Sequence, residues 1–303
     1  MNWYYGPAKY EILNDYDKNL DEILPLGWGI FGWINRYIFI PVFGFISALG
    51  IGYGIAIVLF TILVRIVMSP VTYKSYLSQA KMKVLRPEIA ELNEKFKDNP
   101  MKKQQETMKL YSKAGVNPMA GCLPALMQMP IFYALFQFFP SMFDLRQKSF
   151  LWADDLSSYD SIYQLPFHIP FYGSHVSLFP ILASIAIFFY MKMTSGDQQM
   201  AAPPQEGMPD MGKIMKIMIY ISPVMMLFFF NNYASGLSLY YFISNLITIG
   251  IMLVIKNYIV KEDKIHAQIQ ENKTKEKKES KFQKKMREMM EQAEAQKAAQ
   301  KKK

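Results

Sequence analysis

The sequence predicts an all-α polytopic membrane protein with five transmembrane helices, and three observations carry that prediction. First, apolar residues make up 51% of the 303-residue chain and are gathered into long runs at 51–73, 117–143, 177–194, 213–233 and 236–256. About 20 such residues suffice for a helix to cross a bilayer core. Second, the segments between the runs alternate in charge. Residues 74–115 carry net +5, 144–176 carry net −2, and the tail from Lys256 carries net +7. Basic loops mark the cytoplasmic side, so the hairpin 74–115 and the C-terminus are cytoplasmic and the loop 144–176 lies outside. Third, the remaining chemistry is sparse. Cys122 alone allows no internal disulfide, His168, His175 and His266 have no metal-ligand spacing, and no nucleophile–base pair lies near any span. These absences argue against an enzyme, a metal site or a cofactor.

The first span, IGYGIAIVLFTILVRIVMSPVTY (51–73), organises the rest. From Gly52 to Tyr73 a helix rises roughly 33 Å, enough to cross, and Arg65 lies nine residues before Lys74, roughly 13 Å deep. A central arginine costs about 2.5–3.5 kcal/mol on insertion scales. The other spans hold no Asp or Glu to pair with it. Thr61, Arg65, Ser69 and Thr72 are spaced four, four and three apart and share one helical face. Such a stripe predicts a water-filled cavity, because lipid cannot satisfy those groups. A small-anion transporter or channel, with Arg65 as a midplane site, is the alternative. No inverted repeat supports it.

The chain before this span is acidic, net −3 over residues 1–25, with Gly6-Pro7 as a turn and then a short polar helix. It reads as the tail of a larger outer domain. Residues 26–49 are long enough to span, yet Asn35-Arg36, two tryptophans and Pro41 favour an amphipathic helix lying in the interface. In the hairpin 74–115, Met82, Leu85, Ile89, Leu92 and Phe96 recur at three and four. Pro87 kinks or restarts that stripe, and Asp98-Asn99-Pro100 ends it before a second helix to about Ser112.

The second span bends at Pro124 and Pro130, with Gly121, Ala125, Gln128 and Phe132 on one face. Residues 195–212 form a flexible cytoplasmic linker. The string GMPDMGK (207–213) mimics a phosphate-binding loop but is rejected, since Ile214 stands where Ser or Thr must bind magnesium. In the last span Ser238, Tyr241, Asn245 and Thr248 make a second polar stripe, which ordinary interhelical hydrogen bonding also explains. The tail 257–303 has no apolar period to bury and reads as a solvated basic arm, helical at most in parts.

Three ordered motifs resemble the YidC membrane protein insertase family: TILVRIVMSPVTYKSYLSQAKMKVLRPEI, NPMAGCLPALMQMPIF and SGLSLYYFISNLITI. FLWADDLSSYD resembles the family's external loop. The family commonly has a proline before the SGL turn, and Tyr233-Ala234 stands there. The opening resembles the end of the periplasmic β-sandwich domain of diderm bacteria, so residues 1–25 look like its remnant, without the usual first membrane helix.

The resemblance implies a five-helix core (50–256) enclosing a hydrophilic groove open to the cytoplasm and closed outside, in the bacterial inner membrane. It implies an insertase that guides nascent transmembrane segments into lipid without nucleotide hydrolysis. Arg65 is the implied groove charge, and Thr61, Phe132 and Tyr241 resemble positions that meet substrate, with Gln128, Met129 and Pro130 beside them. Ser69, Ser238 and Asn245 complete the expected groove. The implied partners are nascent membrane proteins and the ribosome, through the hairpin and tail. Anionic lipid is an equally physical target for the tail, and use of the Sec translocon is left open.

Overall fold

The computed structural model describes residues 4–16, 19–97, 99–117, 120, 123–198, 211–259 and 262–274. Of the expected features, Asp98 of the hairpin break, Gly121 and Cys122, positions 199–210 of the linker and 275–303 of the tail lie outside those residues.

The chain is mostly helical. A short helix α1 (Tyr10–Asn14) precedes α2 (Gly29–Ile34) and α3 (Ile40–Ser47), which are joined through a π turn, Asn35–Phe39, into one 19-residue helix. That helix is long and apolar enough to cross a membrane by length and composition. Its inner face is pinned by Asn35, which is fully buried. The Asn35 amide donates to the carbonyls of Leu26 at 2.7 Å and Ala134 at 2.8 Å.

The arginine helix α4 (Tyr53–Val84) runs 32 residues without interruption at Pro70, about 48 Å at the standard rise. The first helix of the hairpin 74–115 is thus a direct continuation of the span. The break comes at Leu85, where Pro87 enters the first turn of α5 (Arg86–Lys95). A proline is tolerated there because that turn has no intrahelical acceptor for its N–H. Then α6 (Pro100–Ala114) starts on Asn99, whose side chain accepts from the Lys102 amide at 3.1 Å, and ends at Gly115 in the left-handed region, φ +67°.

The membrane bundle is completed by α7 (Leu123–Ser141), α8 (Leu178–Gln198), α9 (Met211–Phe230) and α10 (Ser235–Val254). Helix α10 packs against α4 and α8, and α9 packs on α8. The core is aromatic: Phe43, Phe60, Phe138, Phe139, Phe230 and Tyr240 are fully buried together. The Phe60 and Phe138 rings stack at 5.9 Å. Close packing depends on Gly54, where a Cβ would collide with the Phe150 ring.

The loop expected to hug the interface also holds an antiparallel pair, β1 (Ser161–Ile169) and β2 (Gly173–Ser177). Two polar side chains tie it to the bundle. Asp160 Oδ2 accepts from the Leu178 amide (2.9 Å), the Phe179 amide (2.8 Å) and Trp152 Nε1 (2.9 Å), which satisfies the start of α8. Asn231, at the end of α9, donates to the Tyr172 and His175 carbonyls (2.8 and 2.9 Å) and accepts from the Ser177 amide (3.0 Å).

A second, smaller core sits at the opposite end, and it corrects the reading of the tail. Residues Glu262–Thr274 form helix α11, whose Ile265 and Ile269 are buried with Met82, Leu85, Ile89, Tyr111, Ala114 and Val116. Lys273 Nζ meets Glu88 at 2.6 and 2.8 Å, and Asn272 donates to the Ala114 carbonyl at 3.3 Å. The start of the tail is thus docked on the hairpin rather than free. Two isoleucines four apart are stripe enough for a three-turn helix, and a charged segment hides so short a period.

Candidate functional site

Arg65 stands half-buried on α4, and its Nε donates to Ser244 Oγ on α10 at 2.5 Å. Among the described residues it has no carboxylate at ion-pair distance. Small residues on α10 let the two helices approach: Gly236, Ser238 and Ser244 are all buried. Beside Ser244 stand Tyr240 and Tyr241, whose hydroxyls lie within the field of the Arg65 charge. The Tyr241 ring is flanked by Phe132 on α7 at 5.6 Å and Phe230 on α9 at 5.2 Å.

Three polar atoms near this pair are buried without a hydrogen-bond partner of normal geometry among the described residues: Gln128 Nε2, Tyr241 Oη and Tyr240 Oη, the last beside Ser244. Gln128 comes up beside the Tyr241 hydroxyl without closing a bond of normal geometry. Buried polar groups are satisfied in the great majority of cases, so unsatisfied ones beside a cation have the chemistry to hold water or a polar ligand.

Packing around the cluster is uneven. Toward the β1–β2 end, α7 buries Ala134, Leu135, Phe138 and Phe139. Toward the hairpin end, Leu123, Ala125, Leu126, Met127 and Met129 are exposed, and only Pro124 and Gln128 are half-buried. The first turns of α7 stand clear of the bundle, while its last turns are locked into it.

The expected site residues divide accordingly. Arg65, Gln128, Phe132 and Tyr241 gather in the cluster, while Ser238 is buried three residues before Tyr241 on α10 and Asn245 follows Ser244 there. Pro130 is half-buried between Gln128 and Phe132. Met129 is 67% exposed and turned away from the packed side. The stripe on α4 is satisfied differently from the expectation. Thr61 Oγ1 donates to its own helix at Ile57 O (2.7 Å), Ser69 Oγ to Ile66 O (2.8 Å) and Thr72 Oγ1 to Met68 O (3.2 Å). Hydroxyls can return their proton to the preceding turn, so these three need no water, and Thr61 is fully buried. Asn245 and Thr248 likewise bond their own helix, at Tyr241 O and Ser244 O. The residues missed are Ser244 and Tyr240. Ser244 was findable, since it lies three after Tyr241 and four before Thr248 on the same stripe.

The sequence model of the 60Kd inner membrane protein family matches residues 44–264, which takes in both helices of this pair and the hairpin. The chain belongs to that family. Similar curated proteins are each named membrane protein insertase YidC. The one from Parabacteroides distasonis is 48% identical over 91% of this chain and 44% of its own length. That from Amoebophilus asiaticus is 44% identical over 91% and 44%. That from Porphyromonas gingivalis is 43% identical over all of this chain and 50% of its own length. The chain thus spans about half the length of the family members it matches. Membership and the apolar helices together make it a multi-pass inner membrane protein.

Proposed function

We propose that this chain is the membrane-embedded core of an insertase, which guides nascent transmembrane segments from the cytoplasm into lipid without hydrolysing nucleotide. One observation carries the reading: Arg65, held by Ser244, faces unsatisfied Gln128, Tyr240 and Tyr241 at the point where α7 leaves the bundle. In this reading the cluster is the head of a hydrophilic groove. It is open toward the hairpin and shut at the other end by the aromatic core and the Asp160 and Asn231 clamps. A polar or acidic segment enters as far as Arg65, which shortens its path through hydrocarbon. The apolar segment behind it then slides out past the exposed turns of α7, a transfer worth about 25 cal/mol per Å² of apolar area.

Charge supports placing the hairpin and C-terminus in the cytoplasm. Exposed Trp28, Trp33 and Tyr37 on one side and buried Asn35 on the other support a flat, interfacial Gly29–Ser47 helix. The basic tail suits the phosphate backbone of a ribosome.

Photocrosslinking from Gln128, Phe132 and Tyr241 to a stalled ribosome-bound membrane protein tests the groove. Crosslinks from these positions and none from Leu59, on the exposed side of α4, are expected. Equal crosslinking from Leu59, or none from the three, overturns the reading.

A further inference from the structure

A second site lies apart from Arg65. A cavity of about 340 Å³ opens where the N-terminal segment and α3 meet the ends of α4 and α7. Tyr53, the first residue of α4, lines it, and so do Ser141 and Met142 at the end of α7. It therefore sits where two spans finish, at headgroup depth for helices that cross a bilayer.

Its lining is amphipathic. Leu26, Ile40 and Met142 are apolar and buried, while Lys9, Glu11 and Asp144 bring charge. Lys9 Nζ lies 3.1 Å from Asp144 and 3.4 Å from Glu11. Partial burial alone would lower the Lys9 pKa, but Asp144 and then Glu11 raise it above its ordinary value, so the ammonium stays charged. Two carboxylates against one ammonium leave one negative charge unbalanced in the lining. Just outside, the signs reverse. The Arg146 guanidinium stands 5.7 Å from the ring of Phe143, and Lys148 Nζ stands 5.7 Å from the ring of Tyr53. Both rings line the cavity, and both cations are exposed.

A surplus carboxylate in the lining, with exposed cations beside it and apolar walls, fits a zwitterion whose positive end leads. We infer that the cavity binds the phosphoethanolamine headgroup of a membrane lipid. The primary ammonium enters to Asp144 and Glu11, and the phosphate stays at the rim with Arg146 and Lys148. The acyl chains remain in the bilayer alongside the helix ends. A lipid is favoured over a free solute because the cavity opens at the ends of spans, where headgroups are concentrated.

The test is lipid retention, read by native mass spectrometry on the protein in mild detergent with equal phosphatidylethanolamine and phosphatidylglycerol. One retained phosphatidylethanolamine, favoured roughly tenfold, is expected. Asp144→Asn should abolish the preference by removing the ammonium's partner. Because that change also unpairs Lys9, the Arg146→Ala/Lys148→Ala double variant serves as the second probe. Its side chains are exposed and leave the fold intact, and it should weaken retention of both lipids at this site. Free phosphoethanolamine at the same concentration should displace neither. Equal retention of the two lipids, or a preference unchanged in both variants, overturns the site. Displacement by the free compound overturns the membrane source.

Discussion

Arg65 on α4 and Ser244 on α10 share one hydrogen bond, Nε to Oγ, across 179 residues of sequence. It joins a cation to a neutral hydroxyl, so the charge is positioned but not neutralised. A carboxylate partner would have held the guanidinium more strongly and masked it.

Removing the hydroxyl separates position from charge. Ser244→Ala should cost about 1.5–3 kcal/mol, the usual range for a hydrogen bond to a charged group, and should free the guanidinium to reorient. Membrane insertion of a reporter protein should fall in Ser244→Ala but survive in Ser244→Thr, which keeps the oxygen. Equal insertion by all three proteins, at equal abundance, would show that Arg65 needs no fixed position.

Asp160 supplies a pH dependence. Burial raises its pKa above the ordinary 3.8, and the hydrogen bonds from Phe179, Trp152 and Leu178 only partly offset that. The folded state therefore holds this proton more tightly than the unfolded state. Stability contributed by the group falls as pH rises through the raised pKa, and it is recovered as pH drops toward 3.8. Thermal unfolding between pH 4 and 7 should show that slope. Asp160→Asn, which keeps an accepting oxygen for the α8 amides, should flatten it. A slope unchanged in the variant would assign it to another group.

Much of this was legible in the sequence, for identifiable reasons. An arginine among apolar residues announces itself, since its desolvation leaves few alternatives to a function. The spans follow from composition alone. The polar stripe on α4 was legible as a pattern but not as chemistry. Spacing shows that Thr61, Ser69 and Thr72 share a face with Arg65, but not that each hydroxyl is already bonded to its own backbone. The Asp160 and Asn231 clamps were invisible, because each joins residues 18 to 59 positions apart through backbone groups that carry no sequence signal. The docked α11 was missed because two isoleucines are too few to stand out among lysines.

Ala234 invites a stabilising change. It precedes α10 with φ −51° and ψ 127°, close to the torsion a proline ring imposes. Its amide donates no hydrogen bond among the described residues, whereas Ser235 and Gly236 donate to the Ser158 and Leu156 carbonyls at 2.6 and 3.0 Å. Ala234→Pro should stabilise by about 0.4–1 kcal/mol by restricting the unfolded chain. A rise in unfolding temperature of the purified protein would bear this out, and a fall would show the turn to be strained by the ring.

The α11 dock makes the last prediction. Ile269 is 3% exposed among hairpin residues, and truncating a buried isoleucine to alanine costs about 2–5 kcal/mol. Ile265 and Ile269 are the buried apolar anchors of the helix, so Ile269→Ala should loosen its dock on the hairpin. Once loosened, α11 uncovers Tyr111, Ala114 and Val116. Hydrogen exchange at α6 and at the end of α4 should then accelerate while exchange in α8 and α10 stays unchanged, because the two cores share no residue. Glu88→Lys should act the same way more weakly: Glu88 is 42% exposed and its pair with Lys273 is screened by solvent. Uniform acceleration across both cores would mean that hairpin and bundle unfold as one unit, and the tail could not then move independently of the Arg65 site.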